Sequence, residues 1–238
     1  MVTLAIDTSS PATSIALLDG DVLLAHDVHV DARHHAEVLA VMVHKALQAA
    51  GSPAVTNIAV GVGPGAYTGL RVGVSSAQAY GLVWEVPVIG VCSLDAMALA
   101  ASDAVDQSFA CAIDARRKEV YWAQYDADGV RVSGPHVQRP SEIVAEVRAL
   151  PWFGDVALEH LEDLRGEFAG TVAYPDAREI GRFAMHHLHA GNVMSEARVE
   201  LSTHGHDDGA TALALQGQHL LAPFPLYVRR PDAVESTK

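Results

Sequence analysis

Cysteine is scarce: Cys92 and Cys111 are the only two of 238 residues, and they sit in no metal or redox spacing. A disulfide framework and a zinc ribbon are thereby excluded, and both thiols read as reduced, buried small hydrophobes. Positive charge is short as well, with 16 Lys and Arg against 29 Asp and Glu, a formal net charge of -13 and a pI near 5.3. Affinity for nucleic acid is mostly phosphate neutralisation by Lys and Arg, so this balance opposes an extended grip on RNA or DNA. If the chain serves an RNA reaction, another chain does most of the holding. No apolar run is long enough to span a bilayer, and the start MVTLAIDTSS has neither a basic n-region nor a long apolar h-region. A cytoplasmic protein with no membrane contact is expected. What is present is ordinary globular composition, 50% hydrophobic and 19% charged, with ample length for one or two domains.

Short apolar strands are expected over Val2 to Ile6, Thr13 to Leu18 and Val22 to Val30, with turn chemistry at 7–11 and a hairpin signal at Asp19-Gly20. A three-stranded meander therefore opens the chain. From about Arg33 to Ala50 the period becomes helical, and Val38 and Val41 widen the apolar arc beyond one stripe. A strand is expected over Asn57 to Val62, a helix from about Thr68 to Trp84, a strand over Pro87 to Val91 and a helix over Leu94 to Ala100. After Ser102-Asp103 the pattern restarts with strands at Phe109 to Ile113, Val120 to Tyr125 and Val130 to Val137, then helices at Ser141 to Leu150 and about Ala177 to His189. The order implies an α/β fold with an internal duplication, one lobe over 1–102 and a second over 103–238. The stretch 202–209 is expected to be loop and 210–221 helix, a last helix that could return to the first lobe. A disordered tail is expected beyond about Arg230.

The segment Gly61 to Gly81, GVGPGAYTGLRVGVSSAQAYG, follows a strand and invites a phosphate-loop reading. Its glycines are wrongly spaced for a P-loop, and Leu70-Arg71 stands where Lys-Ser would be needed. A dinucleotide fingerprint fits formally, but Pro64 keeps the glycines outside the helix and no acid ends the following strand. Gly69, Gly73, Ala77 and Gly81 instead fall every fourth residue on one side of a helix. An interior glycine costs about 1 kcal/mol against alanine, so Gly73 needs a compensating close approach. That approach is either to the chain's own sheet or to a helix of another protein. The first turn holds a carboxylate and hydroxyls, Asp7, Ser9, Ser10 and Thr13, the form that faces nucleotide phosphates and magnesium in actin-like and sugar-kinase-like ATPases; an ordinary Asx or Ser turn is the plainer alternative. The 13 histidines offer no convergent metal set, since neighbours such as His35 and Glu37, two apart on a helix, point away from each other.

The segments AIDTSSPATSIAL, HHAEVL, GVGPGAYTGLRVGVSSAQAYGLVWEVPVIGVCSLDAMA, AIDARRKEVYWAQY and PLYVRRP, in this order, resemble the TsaB (YeaZ) family. The resemblance covers Thr3 to about Gln124 and the Pro225 to Pro231 motif. Its motif residues here are His35, Gly63, Pro64, Gly65, Thr68, Arg71, Asp114, Arg116, Glu119 and Tyr121. It implies a two-lobed actin-like, Hsp70-like and sugar-kinase-like fold. It also implies a non-catalytic part in the complex that transfers a threonylcarbamoyl group to adenosine 37 of tRNA. The catalytic site would belong to a paralogue, TsaD, bound as a heterodimer, with an ATPase, TsaE, resetting the complex. Laid on this chain, the H-x-x-x-H metal pair of TsaD falls on Ser93 and Met97, neither a plausible ligand. The resemblance further implies docking through the helices from about Arg33 and Thr68, with Leu39, Met42, Ala46, Gly69, Gly73 and Ala77 as contacts. A homodimer through the same helices stays open when TsaD is absent. It implies no catalytic residue, metal or cofactor of the chain's own, ATP or ADP belonging to the complex, and tRNA met indirectly. The competing readings are an ATP-dependent kinase or acyltransferase of the same fold, and a TsaD-like metallopeptidase.

Overall fold

The computed structural model describes residues 1–155, 163–164, 172–191 and 219–228. The apolar runs of the opening segment build β1 (Val2–Asp7), β2 (Ala12–Asp19) and β3 (Val22–Val30), an antiparallel meander. Helix α1 (His35–Ala49) then leads to β4 (Asn57–Gly63), and α2 (Tyr67–Trp84) to β5 (Val88–Cys92). β4 pairs in parallel with β1 and β5, which requires crossover helices, and the sheet order is β3-β2-β1-β4-β5. After α3 (Ser93–Ala101) the plan repeats. β6 (Phe109–Asp114), β7 (Val120–Tyr125) and β8 (Arg131–Gln138) form a second meander, and the short β9 (Trp152–Phe153) joins β6 in parallel, giving the order β8-β7-β6-β9. The duplication expected from the sequence is thus a duplication of sheet topology.

Alternate residues of each strand face opposite layers. Leu4, Ile6 and Leu17 of the first sheet share one core with α1, α2, α3 and the second sheet's Phe109, Cys111 and Tyr125. Each large side chain buried in this way contributes about 1.5–3 kcal/mol. Both cysteines lie inside that core, and burial pushes the Cys92 thiol up to about 12, so it stays protonated.

The opposite face of the first sheet is lined by Ala5, Ala16 and Ala59, and it takes α5 (Ala177–His189). Small residues make the fit, because a Cβ on Gly181 would overlap Leu18 and press on Ala5. The helix is pinned where Ala177 N–H donates to Ser14 Oγ at 2.9 Å and where His26 pairs with Asp176 at 2.9 Å. Sequence order groups this helix with the second lobe, yet it packs on the first. The division at residue 102 therefore separates the two sheets but not the helices.

Two further differences have local causes. The helix expected over Ser141 to Leu150 is broken into a 3-10 turn (Pro140–Glu142) and a four-residue α4 (Ala145–Arg148), because Ile143 and Val144 remain extended. This lets Ile143 and Val147 both bury against Trp122 and Trp152 on the second sheet. At the other end, Leu221 is extended rather than helical and exchanges two backbone hydrogen bonds with Gly90, each 2.8 Å. Most of the helix expected over 210–221, the loop at 202–209 and the tail beyond Arg230 lie outside the described residues. No helix among the described residues is long and apolar enough to cross a membrane.

Candidate functional site

The first turn and the start of α2 form one buried polar junction. Asp7 ends β1 fully buried, and its Oδ1 accepts the Ser9 N–H at 2.8 Å and the Ser9 hydroxyl at 2.7 Å. Its Oδ2 accepts the Ser93 hydroxyl at 2.7 Å, and the same Ser93 oxygen accepts the Gly63 N–H at 3.2 Å. Burial pushes the Asp7 carboxyl up to about 6, against the hydrogen bonds from Ser93 and Ser9 that pull it down. A Cβ on Gly61 would overlap Asp7, and one on Gly65 would overlap the Ser9 backbone. Gly63 sits at φ 101, a conformation that favours glycine, where the chain turns from β4 toward α2.

Thr13 and His35, drawn from separate motifs, meet. The Thr13 hydroxyl is 2.7 Å from His35 Nδ1, and desolvation holds the imidazole below its ordinary pKa. A neutral histidine thus ties α1 to β2. Pro64 is buried in the same junction, whereas Thr68 is exposed in the first turn of α2.

A magnesium nucleotide would require Asp7 and the hydroxyls to face open space. Asp7, Thr8, Ser9, Ser10 and Thr13 are each 3% exposed or less, and both Asp7 oxygens are taken by the chain itself. The hairpin is closed by the Gly63-Pro64-Gly65 loop and α2, and its residues do not fit that ligand. Ser93 and Met97, the positions matched to a metal pair, are respectively the hydroxyl clamp on Asp7 and a core side chain. Among the described residues, no group of three or more His, Cys, Asp or Glu is placed to hold a metal ion.

The small stripe of α2 points inward. A Cβ on Gly69 would overlap the Thr8 carbonyl, one on Gly73 the Thr8 hydroxyl and one on Gly81 the Val88 side chain, while Ala77 is fully buried. Leu39, Met42 and Ala46 of α1 likewise lie in the chain's own core. The close approach that Gly73 requires is therefore to β1 and the turn after it, not to another protein. These six residues leave a different face outward. Val41 on α1 is 51% exposed, and Leu82 and Val83 on α2 are 82% and 74% exposed. Val41, the residue that widened the apolar arc in the sequence, was the available signal.

The second motif makes a turn between β6 and β7. Asp114 accepts the Arg116 N–H at 2.7 Å and pairs with its guanidinium at 3.1 Å, and Ala115 N–H donates to the Glu119 carbonyl at 3.0 Å. Arg116, Arg117 and Lys118 all hold positive φ, 63, 57 and 62°, in a tight left-handed turn with no glycine. Tyr121 beyond it is buried. The turn has no glycine-rich phosphate loop.

A family model described as TsaD: tRNA N6-adenosine threonylcarbamoyltransferase matches residues 24–177. The Escherichia coli tRNA threonylcarbamoyladenosine biosynthesis protein TsaB is 34% identical over 181 residues, 73% of each chain. The chain belongs to the TsaB (YeaZ) family. YeaZ from Pseudomonas aeruginosa superposes with a TM-score of 0.68 at 31% identity, covering 80% of this chain and 93% of that one. An uncharacterized Mycobacterium tuberculosis protein is 44% identical over 182 residues, 71% of this chain and 82% of its own length. The YeaZ superposition and the doubled meander together give an α/β fold built on two sheets, the fold of that YeaZ structure.

Proposed function

We propose that this chain is the non-catalytic partner of a TsaD-type transferase in making N6-threonylcarbamoyladenosine at adenosine 37 of tRNA. One observation carries the reading: the positions of a transferase metal pair, Ser93 and Met97, are built into the chain's own junction and core, while α1 and α2 turn Val41, Leu82 and Val83 to solvent. A site without chemistry beside a bare apolar face suits a subunit that docks. The paralogue then supplies the transferase site and most of the tRNA grip, consistent with a formal charge of -13 here. An ATPase of the TsaE kind resets the complex, and ATP or ADP belongs to the assembly rather than to the Asp7 hairpin. The compartment is the cytoplasm, and a second copy of the chain takes the same face when the paralogue is absent. A kinase, acyltransferase or metallopeptidase reading would need either an open Asp7 or ligands at positions 93 and 97.

Reconstitution tests it. Paralogue, ATPase, tRNA and threonylcarbamoyl adenylate should modify tRNA only when this chain is added. Equal modification without it, or brisk ATP hydrolysis by the chain alone, would overturn the proposal.

A further inference from the structure

The first sheet closes one of its edges and leaves the other open. At β5 the edge is capped, because Leu221 exchanges two backbone hydrogen bonds with Gly90. At β3, among the described residues, no strand pairs with the outer side. Edge strands are commonly blunted by lysine, proline or a bulge. β3 has a bulge at Leu24, where the register passes from Leu18 against Leu23 to Leu17 against Ala25, but His26 to Val30 is regular and contains neither lysine nor proline. All five of those residues are exposed, Val28 at 41% and Val30 at 57%.

The direction of the backbone groups follows from one bond. The Asp31 N–H donates to the Pro11 carbonyl at 3.0 Å, one position beyond the Ala12–Val30 pair, so the odd-numbered residues of this stretch bond toward β2. Pairs in an antiparallel ladder alternate, so His26, Val28 and Val30 turn their N–H and C=O groups away from β2, to the open side. A row of this kind accepts another extended strand.

We propose that this strand is β3 of a second copy of the chain, paired antiparallel about Val28, which joins two five-stranded sheets into one. In this register Val28 faces Val28, His26 faces Val30, and Asp27 faces His29 on both sides of the two-fold axis. The even-numbered residues carry the backbone hydrogen bonds. The odd-numbered ones supply charge complementarity, since an imidazole N–H donates to a carboxylate. Moving the axis to Asp27 sets that carboxylate against its own copy, and moving it to His29 sets Asp27 against Asp31. Like charges directly opposite are destabilising, so Val28 is the favoured axis. The pairing is independent of the docking role proposed above, because α2 packs over β4 and β3 is the far edge of the sheet.

The test uses the full chain, with oligomeric state read by sedimentation equilibrium. Dimers should form in the wild type and equally in Leu82→Glu, which places a charge on the α2 face. Val28→Lys brings two ammonium groups together on the axis and should weaken the dimer about tenfold or more. Asp27→Lys should weaken it as well, and adding His29→Asp should return it to the wild-type value, because opposite charges again face each other. A short bismaleimide should cross-link Val28→Cys but not Val30→Cys, which lies four residues, roughly 13 Å, from its own copy. Cys92 and Cys111 are buried and do not compete. A monomer at every concentration, a dimer lost in Leu82→Glu, no recovery by the charge swap, or equal cross-linking at both positions would overturn the pairing. None of these results touches the docking role, which the reconstitution tests separately.

Discussion

Gly73 and Thr8 are locked across the junction of the first turn with α2: the Gly73 N–H donates to Thr8 Oγ1 at 3.1 Å, and that hydroxyl donates to the Gly69 carbonyl at 2.7 Å. A helix N–H ordinarily bonds within its own helix, so the threonine inserts between helix and sheet as a polar spacer. Glycine at 69 and 73 is what lets it approach.

Gly73→Ala should therefore destabilise the chain even though alanine is the better helix former. Overpacking costs about 1–3 kcal/mol and the displaced hydrogen bond about 1, against a propensity gain of about 1. A net loss of about 1–3 kcal/mol should appear in urea unfolding. Combining it with Thr8→Ala, which frees the space, should recover part of the loss, and strict additivity of the two would show that the contact is unimportant.

Much of the fold was legible because short apolar runs mark the strands of both meanders, and Asp19-Gly20 and the Gly63-Pro64-Gly65 break mark the turns. Period alone could not say which way the α2 stripe faced, since glycines at every fourth residue suit a neighbouring helix and the chain's own threonine equally. The direction is set by Thr8, distant in sequence, and nothing local to α2 encodes it. The placement of α5 was hidden for the same reason. Ala5, Ala16 and Gly181 must be matched across the chain before the shallow seat on the first sheet is visible. The hairpin's carboxylate is plain in the sequence as turn chemistry, but its closure depends on Ser93, 86 residues on, and on Gly61, whose lack of a side chain admits it.

The outward face makes a second prediction. Leu82→Glu and Val41→Asp alter exposed side chains, so each should change the stability of the isolated chain by no more than about 0.5 kcal/mol. Each should nonetheless weaken binding to the paralogue at least tenfold, because a charge would be desolvated in an apolar contact. Binding unchanged in both variants would place docking elsewhere.

The ion pair between Asp95 of α3 and Arg131 of β8 joins the two lobes inside the protein. The groups are 3.0 Å apart with side chains 5% and 9% exposed, and the Tyr125 hydroxyl donates to the same Asp95 oxygen at 2.9 Å. Asp95→Ala removes the carboxylate that the buried Arg131 guanidinium and the Tyr125 hydroxyl both face, a loss of about 3–5 kcal/mol. Asp95→Asn keeps an acceptor for Tyr125 and should lose less. Thermal unfolding ranks the three chains, and an Asp95→Ala chain as stable as wild type would deny the pair its role.

Asp7 makes the stability depend on pH in an unusual direction. Its carboxyl titrates near 6 when folded and near the ordinary 3.8 when unfolded, so between these values the folded state binds the extra proton. Stability from this group is fully present below about 4 and is lost as pH rises through 6, at up to about 1.4 kcal/mol per pH unit and roughly 3 kcal/mol in all. His187 opposes it, because burial beside His219 and His186 lowers that imidazole to about 4, and its contribution grows with pH over the same range. The wild-type curve alone thus mixes two slopes of opposite sign. Asp7→Asn removes one of them, so the difference in unfolding free energy between variant and wild type should shift in the variant's favour from pH 4 to pH 6 and then level off. Urea titrations at half-unit intervals would read it, and a difference flat across that window would mean that Asp7 is ionised in the folded chain throughout, with Ser9 and Ser93 outweighing the burial.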